Sequence, residues 1–186
     1  WAGFIAADGC VFYTRPNKTS GFLGIGLSSV DRDMLIKFKE CIRFNGQIKD
    51  KATTKHNPNG TSKIQISRVS IVKSLERFNI VPNKTKVYTF PNWIKFHSLV
   101  NHFMRGYLDG DGCVARNGKI DTLQLCSIHK DFLMDVMLML QTVGISSKIK
   151  TVFEANQRLL PDGNGSLKLY NCKKVYRMII ASEETQ

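Results

Sequence analysis

Two aspartates are the strongest candidates for chemistry in this sequence, because each ends an apolar stretch in the same way. Asp8 closes the stretch Trp1-Ala-Gly-Phe-Ile-Ala-Ala-Asp-Gly9, and Asp111 closes Met104-Arg-Gly-Tyr-Leu-Asp-Gly-Asp-Gly112. Each stretch predicts one or two turns of helix, and Cys-Val follows each of them. The helix dipole disfavours a carboxylate at a helix C-terminus by roughly 0.3–1 kcal/mol. The pattern therefore indicates a functional reason for these two carboxylates.

Small residues spaced four apart would let the two predicted helices pack closely. Gly3 and Ala7 share one face of the first helix, and Gly106 and Gly110 share one face of the second. Packing along these faces would bring the two terminal aspartates together, and like charges repel at close range. A divalent cation between the carboxylates would offset that repulsion.

The two stretches belong to a repeat that covers most of the chain. Asp8 and Asp111 are separated by the same number of positions as Cys10 and Cys113. Ile64-Gln-Ile-Ser corresponds to Leu167-Lys-Leu-Tyr at the same offset. With this repeated motif, the sequence resembles the LAGLIDADG homing endonuclease family in its single-chain, two-motif form.

The order helix, hairpin, helix, hairpin, helix is predicted twice, which indicates an α+β fold. We expect two pseudo-symmetric αββαββα repeats, at 1–91 with its linker and at 92–186, the second one incomplete at its C-terminus. In the second repeat, Ser147–Phe153 and Gly165–Asn171 are predicted to form the last hairpin, and Val175–Ala181 to start the closing helix. The resemblance implies a four-stranded antiparallel sheet in each half, a DNA-binding saddle made by both sheets, and motif helices at the shared interface.

Composition independently favours a nucleic-acid partner. The chain has 27 Lys and Arg against 15 Asp and Glu, a net charge of +12 and a pI near 9.6, which suits a polyanion. The alternative is a basic protein without such a partner. A hydrophobic content of 42% is sufficient for a packed core.

Cysteine usage and hydropathy bear on the compartment. Five cysteines without a Cys-x-x-Cys pair argue against a disulfide framework and a zinc ribbon, so we expect a reducing intracellular compartment. No apolar run is long enough for a membrane span and no signal peptide is visible. The chain begins inside a motif without a Met.

The resemblance implies a metal site, because the family cuts both strands of duplex DNA with Mg²⁺ held between the motif helices. By position, Asp8 and Asp111 would bind the metal, and the backbone carbonyls of Ala7 and Gly110 would complete its shell. Mg²⁺ commonly takes one or two carboxylates, waters and phosphate oxygens. Ca²⁺ is expected to occupy the site without supporting cleavage.

Further catalytic candidates follow from the same resemblance. Family members often place a Lys before the second motif to polarise solvent, and Lys84 and Lys86 are the candidates here, Lys84 slightly ahead. Several members carry a water-organising Gln before each second helix, where this chain has Ser29 and Ser127. Ser binds water less extensively than Gln, which bears on the cleavage rate and not on DNA binding.

Polar positions on the hairpins are the candidates for DNA recognition, because two-stranded ribbons fit a major groove, where Arg pairs with G and Asn or Gln with A. Lysine contacts to phosphates would set affinity and its salt dependence. The first-half candidates are Arg15, Asn17, Lys18, Lys49, Lys51, Lys63, Gln65 and Arg68. The second-half candidates are Arg116, Asn117, Lys119, Gln124, Lys148, Lys150, Gln157, Arg158 and Lys168. For each residue, a solvated surface position is the alternative.

The resulting prediction is a site-specific, Mg²⁺-dependent endonuclease that acts on double-stranded DNA. A monomer is expected, because one chain holds both halves. No membrane association is expected. Since the halves differ, the target should be long and not palindromic. The alternative is a non-cleaving binder of the same fold, either an intron maturase or a DNA-binding protein.

Overall fold

A computed structural model describes residues 1–53, 57–117, 120–162 and 166–181. The chain divides into two compact units, Trp1–Asp111 and Gly112–Gln186. The predicted boundary after residue 91 follows the sequence repeat and stays a prediction. Among the described residues, no helix combines the length and apolar character that crossing a membrane requires.

The first unit contains both motif helices. Its elements are α1 (Ala2–Asp8), β1 (Gly9–Tyr13), β2 (Gly21–Ser28), α2 (Arg32–Cys41), β3 (Lys49–Lys51), β4 (Thr61–Ile66), α3 (Val69–Glu76) and α4 (Val100–Asp111). Short 3-10 turns lie at Ser29–Asp31, Lys84–Lys86 and Asn92–Ile94.

Alternation of apolar and polar residues explains the sheet of the first unit, whose strand order is β1-β2-β4-β3. Leu23, Ile25, Ile64 and Ile66 are fully buried on one face, where α2 contacts β4 and α3 contacts β2. Burying each such side chain contributes roughly 1.5–3 kcal/mol. The polar residues between them, among them Lys63, face solvent.

Helices α1 and α4 pack directly against each other along their small residues. A Cβ atom added to Gly3 would lie 2.8 Å from the carbonyl carbon of Phe103 and from the backbone nitrogen of Tyr107. A Cβ atom added to Gly106 would lie 3.0 Å from the backbone nitrogen of Phe4. The predicted contact between the two motif helices therefore forms within the first unit.

The second unit contains β5 (Gly112–Asn117), β6 (Ile120–Ser127), α5 (Lys130–Thr142), β7 (Ser147–Phe153), β8 (Asn156–Pro161), β9 (Leu167–Cys172) and β10 (Val175–Ala181). Strands β5-β6-β10-β7 form an antiparallel sheet in that order. The α+β class with two four-stranded antiparallel sheets is confirmed. Met178 and Leu125 are fully buried on one face, and α5 contacts β6, β7 and β10.

The prediction of a closing helix at Val175–Ala181 is wrong, because this stretch is strand β10. It lies between β6 and β7, and its Val and Ile residues favour a pleated, half-buried position. Met178 pairs with Leu125, as Ile64 pairs with Ile25 in the first sheet. Strand β10 is therefore the counterpart of β4.

The proposed match of Leu167–Tyr170 to the Ile64 region is also wrong. These residues lie in β9, which pairs only with β8 in a separate two-stranded sheet. Strand β7 leads into β8 and β9 leads into β10, so the pair extends beyond the four-stranded sheet as a ribbon. We call β8 and β9 the distal ribbon. It accounts for the extra length of the second repeat between β7 and β10.

Candidate active site and nucleic-acid interface

Asp8 and Asp111 lie at the C-terminal ends of the packed helices α1 and α4. A Cβ atom added to Gly110 would lie 2.8 Å from Oδ2 of Asp8, so the Asp8 carboxylate sits against the last turn of α4. Burial raises the pKa of Asp8, and the nearby charge of Asp111 raises it further. Two carboxylates that repel each other therefore meet where the helices end.

Lys84 reaches this pair from the segment between the two repeats. Asn83 adopts a left-handed conformation with φ 58°, which Asn tolerates better than most residues, and the next turn begins at Lys84. The Lys84 ammonium donates a hydrogen bond of 2.8 Å to the carbonyl oxygen of Ala7. Burial lowers the pKa of Lys84, while the charges of Asp111 and Asp8 act in the opposite direction.

The structure distinguishes between the two candidate lysines. Lys86 lies at the end of the same 3-10 turn and its side chain is exposed. Lys84 is half-buried and contacts the backbone carbonyl that directly precedes Asp8. Lys84 therefore lies beside the two motif aspartates, and Lys86 faces solvent.

A tyrosine that sequence reasoning missed completes the surroundings of Asp111. Tyr107 is one helical turn before Asp111 on α4, is 5% exposed, and makes a side-chain hydrogen bond with the Asp111 carboxylate. Its ring stacks on Tyr88, with centroids 6.1 Å apart and planes inclined by 17°. Burial raises the pKa of both phenols. The signal in the sequence was the spacing of four between a tyrosine and the motif aspartate.

A cleft of about 580 Å³ opens beside Asp8. Its lining includes Phe4, Ser28, Asp31 and Asp109. The charge of Asp31 also contributes to the raised pKa of Asp8. The cleft therefore gives the Asp8 carboxylate open space on one side.

The two serine candidates have local hydrogen-bond partners. Ser29 accepts a hydrogen bond of 3.3 Å from the hydroxyl of Ser62, which lies on β4. Ser127 accepts one of 3.0 Å from the backbone N–H of His129, just before α5. Ser28, the neighbour of Ser29, lines the cleft instead.

The polar face of the first sheet presents several of the predicted DNA-binding residues together. Lys49 pairs with Lys63 across β3 and β4, and Gln65 lies two residues further along β4. These side chains and that of Lys51 are exposed. Because residues opposite each other in a ladder point to the same face, they form one basic surface.

The remaining first-half candidates lie at the edge of this sheet. Arg15 and Asn17 are exposed in the β1–β2 connection, and Asn17 accepts a hydrogen bond from Thr19. Lys18 lies 3.5 Å from the carboxylate of Glu76. Arg68 is exposed at the residue before α3.

The second sheet has a comparable polar face. Lys148 and Lys150 on β7 lie on the same face as Gln124 on β6. This follows from the register, because Lys148 and Gln124 lie opposite the same residue of β10, the strand between β7 and β6. Arg177 on β10 lies opposite Lys150 and Cys126, which puts it in the middle of this face. Sequence reasoning missed Arg177 because its strand was predicted to be a helix.

Arg177 also stands out by its hydrogen bonding. Its Nε atom is buried and has no hydrogen-bond partner within the described part of the chain. Arg116, by contrast, forms an exposed ion pair of 2.8 Å with Asp121 on the neighbouring strand. The Nε–H donor of Arg177 therefore has no partner among the described residues, on the face that it shares with predicted DNA-binding residues.

Three predicted DNA-binding residues of the second unit lie outside its four-stranded sheet. Gln157, Arg158 and Lys168 belong to the distal ribbon. There Gln157 donates to Asn171 at 3.0 Å, and the Arg158 guanidinium lies 4.4 Å from the ring centre of Phe153. Asn117 ends β5, and Lys119 lies outside the described residues.

Comparison with known proteins identifies this architecture. Residues 98–186 match the family model described as LAGLIDADG-like domain. The superposition on the I-LtrWI LAGLIDADG homing endonuclease bound to target DNA covers 97% of this chain and 76% of that chain, at 11% sequence identity and a TM-score of 0.51. Variants of the homing endonuclease I-DmoI cover 96% and 80%, at 15% identity and a TM-score of 0.52. The meganuclease I-SmaMI bound to uncleaveable DNA covers 97% and 76%, at 13% identity and 0.53.

The chain has the fold of the single-chain LAGLIDADG homing endonucleases. The family-model match over residues 98–186 and the structural matches confirm the predicted resemblance to the LAGLIDADG homing endonucleases.

Curated relatives place similar sequence inside much longer proteins. The ribonucleoside-diphosphate reductase large subunit of Invertebrate iridescent virus 6 is 42% identical over 80 residues, which is 43% of this chain and 8% of that protein. The NrdEB subunit alpha of Bacillus subtilis is 36% identical over 86 residues, which is 45% of this chain and 8% of that protein. The chain thus spans 8% of the length of these relatives.

Proposed function

We propose that this protein is a site-specific, divalent-metal-dependent endonuclease that acts on double-stranded DNA as a monomer. The observation that carries the proposal is the meeting of Asp8, Asp111 and Lys84 at the ends of two packed helices. Folding alone gives no reason to bring two like charges and a half-buried lysine together. The fold of the DNA-bound homing endonucleases supports the same function.

The donor set fits a hard divalent cation. Asp8 and Asp111 supply carboxylate oxygens, and a cation between them would offset both the burial and the mutual repulsion that raise the pKa of Asp8. Backbone oxygens of Ala7 and Gly110 are adjacent, although the Ala7 oxygen already accepts a hydrogen bond from Lys84. Within the described residues no cluster of three His, Cys, Asp or Glu forms a metal site. The set therefore suits Mg²⁺, which uses one or two carboxylates and takes its other ligands from water and phosphate.

The metal identity within this class is part of the proposal. Solved structures of I-DmoI are described as complexes with DNA and Ca and with DNA and Mn, and one variant was solved with Mg. When bound, such a cation supplies charge stabilisation at the scissile phosphate and an activated water. We propose Mg²⁺ as the physiological ion and Ca²⁺ as a non-cleaving occupant.

The residues of the chain have distinct tasks in this scheme. Asp8 and Asp111 hold the cation and orient its ligands. Lys84 is proposed to hold a water molecule near the scissile phosphate, since its ammonium donates to the Ala7 carbonyl and interacts with the charges of both carboxylates. A lowered pKa lets a lysine exchange a proton closer to neutral pH. We assign Ser29 and Ser127 supporting positions, because each is already hydrogen bonded locally.

The two sheets are proposed to bind the two halves of the target. Lys49, Lys51 and Lys63 would contact one half-site, and Lys148, Lys150 and Arg177 the other. Because the two sets differ in composition, the target should be long and not palindromic. Lysine contacts to phosphate would make binding strongly dependent on salt.

The curated relatives suggest where the target lies. A stretch of 80 to 86 residues similar to this chain occurs within the reductase chains, and a segment with the proposed endonuclease function would have no evident task in nucleotide reduction. We propose that the chain belongs to an in-frame insertion of the intein kind and that its target is uninterrupted ribonucleotide reductase coding sequence. A duplex with that continuous sequence should be cut, and one carrying the insertion should not.

The experiment that tests the function is a cleavage assay on a randomised duplex library, with Mg²⁺, Ca²⁺ or EDTA. We expect double-strand breaks at a selected site with Mg²⁺ and binding without cutting with Ca²⁺. Asp111→Asn should keep DNA affinity and lose cutting. Binding without cutting of any site, in Mg²⁺ or Mn²⁺, would favour a non-cleaving binder such as an intron maturase. Unchanged cutting by Asp111→Asn would remove Asp111 from the active site.

A further inference from the structure

The two motif helices differ at one buried position that faces the site. The residue one turn before the motif aspartate is Phe4 on α1 and Tyr107 on α4. Both side chains are nearly fully buried, at 4% and 5% exposure. Residues four apart on a helix are neighbours, so only the α4 aspartate has a phenol hydroxyl from its own helix beside it.

The hydroxyl of Tyr107 is used, since it hydrogen bonds to the carboxylate of Asp111. A bond from a neutral hydroxyl to a carboxylate is charge-assisted and stronger than a bond between neutral groups. The ring is also immobilised, because Tyr88 stacks on it and Tyr88 is itself 5% exposed. The phenol therefore has little freedom to move away from the carboxylate.

Asp8 has a different environment. Phe4 lines the cleft beside Asp8 and offers no hydrogen bond. Lys84 is a cationic neighbour of both carboxylates, and its own hydrogen bond goes to the Ala7 carbonyl. The two carboxylates are equivalent in the repeat, but only Asp111 has a phenol one turn before it on its own helix.

We propose that Tyr107 is a positioning residue, which fixes the Asp111 carboxylate for the divalent cation and makes the two halves of the active site unequal. The inference rests on the proposed endonuclease function. The repeats are pseudo-symmetric and the strands of a duplex are related by a two-fold axis, so each carboxylate serves one strand. At limiting metal, the strand served by Asp111 is cut first.

The test compares Tyr107→Phe with Phe4→Tyr and with the variant that carries both changes. Tyr107→Phe keeps the buried ring and its stacking on Tyr88, so the variant should still fold cooperatively, which thermal unfolding checks. The first readout is strand-resolved cleavage of a duplex labelled on both strands, followed against Mn²⁺ concentration. The second is calorimetric titration of Mn²⁺ into the full chain bound to a phosphorothioate duplex, which does not depend on cutting.

For Tyr107→Phe we expect the Mn²⁺ concentration for half-maximal cutting to rise about 10-fold for one strand and less than about 2-fold for the other, since loss of a hydrogen bond to a metal ligand typically costs 10–100-fold. The calorimetric affinity of one Mn²⁺ site should fall by a similar factor. The double variant should reverse the strand preference.

Equal effects on both strands, or no change in Mn²⁺ affinity, would overturn the inference while leaving the endonuclease function intact. The unaltered protein serves as the separate control of function: if it cuts neither strand of the selected duplex, the proposed function fails first.

Discussion

Replacing Gly3 with alanine should disrupt the contact on which the candidate active site depends. The new methyl group would lie 2.8 Å from the Phe103 carbonyl carbon and the Tyr107 nitrogen, and closer still to the Phe103 carbonyl oxygen. Ordinary contact begins near 3.4 Å. These atoms belong to the α4 backbone, which cannot rotate away as a side chain can, so α1 and α4 must separate.

The size of the effect follows from overpacking, which costs typically 1–3 kcal/mol in a well-packed core. With three backbone atoms too close, we expect the upper end, about 3 kcal/mol. For a chain of this size, that corresponds to a fall in Tm of roughly 6–12 °C. Because the separation also displaces Asp8 from Asp111, cutting should fall by about 10²-fold, as is typical of a displacement near 1 Å.

Gly106→Ala is the matched control on the facing helix. Its added methyl group would have its nearest contact at 3.0 Å, from the Phe4 backbone nitrogen. Alanine is also favoured over glycine in a helix by about 1 kcal/mol, so this variant should remain within about 1 kcal/mol of the unaltered protein. Thermal and urea unfolding measure both variants. If Gly3→Ala were as stable as Gly106→Ala, the close approach of the two helices would be refuted.

Three further predictions concern individual side chains. Lys84→Met should slow cutting by roughly 10²–10⁴-fold and leave DNA affinity unchanged. It should also abolish a pH-dependent step in the cutting rate, which should lie below the ordinary lysine range because burial lowers the pKa of Lys84. Single-turnover rates that match the unaltered protein across pH would contradict this. Asp8→Asn should raise Tm at neutral pH without metal. Burial and the charge of Asp111 raise the pKa of Asp8, so the ionised carboxylate destabilises the folded state above that pKa. The gain in Tm should vanish below pH 3.8, where Asp8 is protonated in the folded and the unfolded state. A neutral-pH Tm at or below that of the unaltered protein would be inconsistent with this. Arg177→Gln should relax base preference at one position, costing roughly 1–3 kcal/mol there, whereas Lys148→Gln should weaken binding evenly; selection of sites from a library distinguishes the two.

Sequence reasoning succeeded where the chemistry is local. Residue types four apart were sufficient to predict that α1 and α4 pack along Gly3 and Gly106, because helix periodicity fixes which residues share a face. Alternating isoleucines likewise predicted β4 and its buried face. Each of these signals comes from residues that lie close together in the sequence.

The failures have two different causes. Val175–Ala181 was assigned by counting positions along the repeat, and the count failed because the distal ribbon lengthens the second half. Its β-branched content was the better signal. The position of Lys84 beside the Ala7 carbonyl depends on how the segment from Asn83 to Tyr88 folds back, which no local pattern specifies.

The division of the chain at Asp111 and Gly112 has a practical consequence for engineering. Both carboxylates, Lys84 and Tyr107 belong to the first compact unit, whereas the second begins immediately after the last of them. Exchanging everything from Gly112 onward for the corresponding part of another two-motif chain would therefore leave every proposed catalytic group but Ser127 in its native covalent context. Such chimeras would alter target preference, because the proposed catalytic residues would come from this chain and the recognition of one half-site from the other.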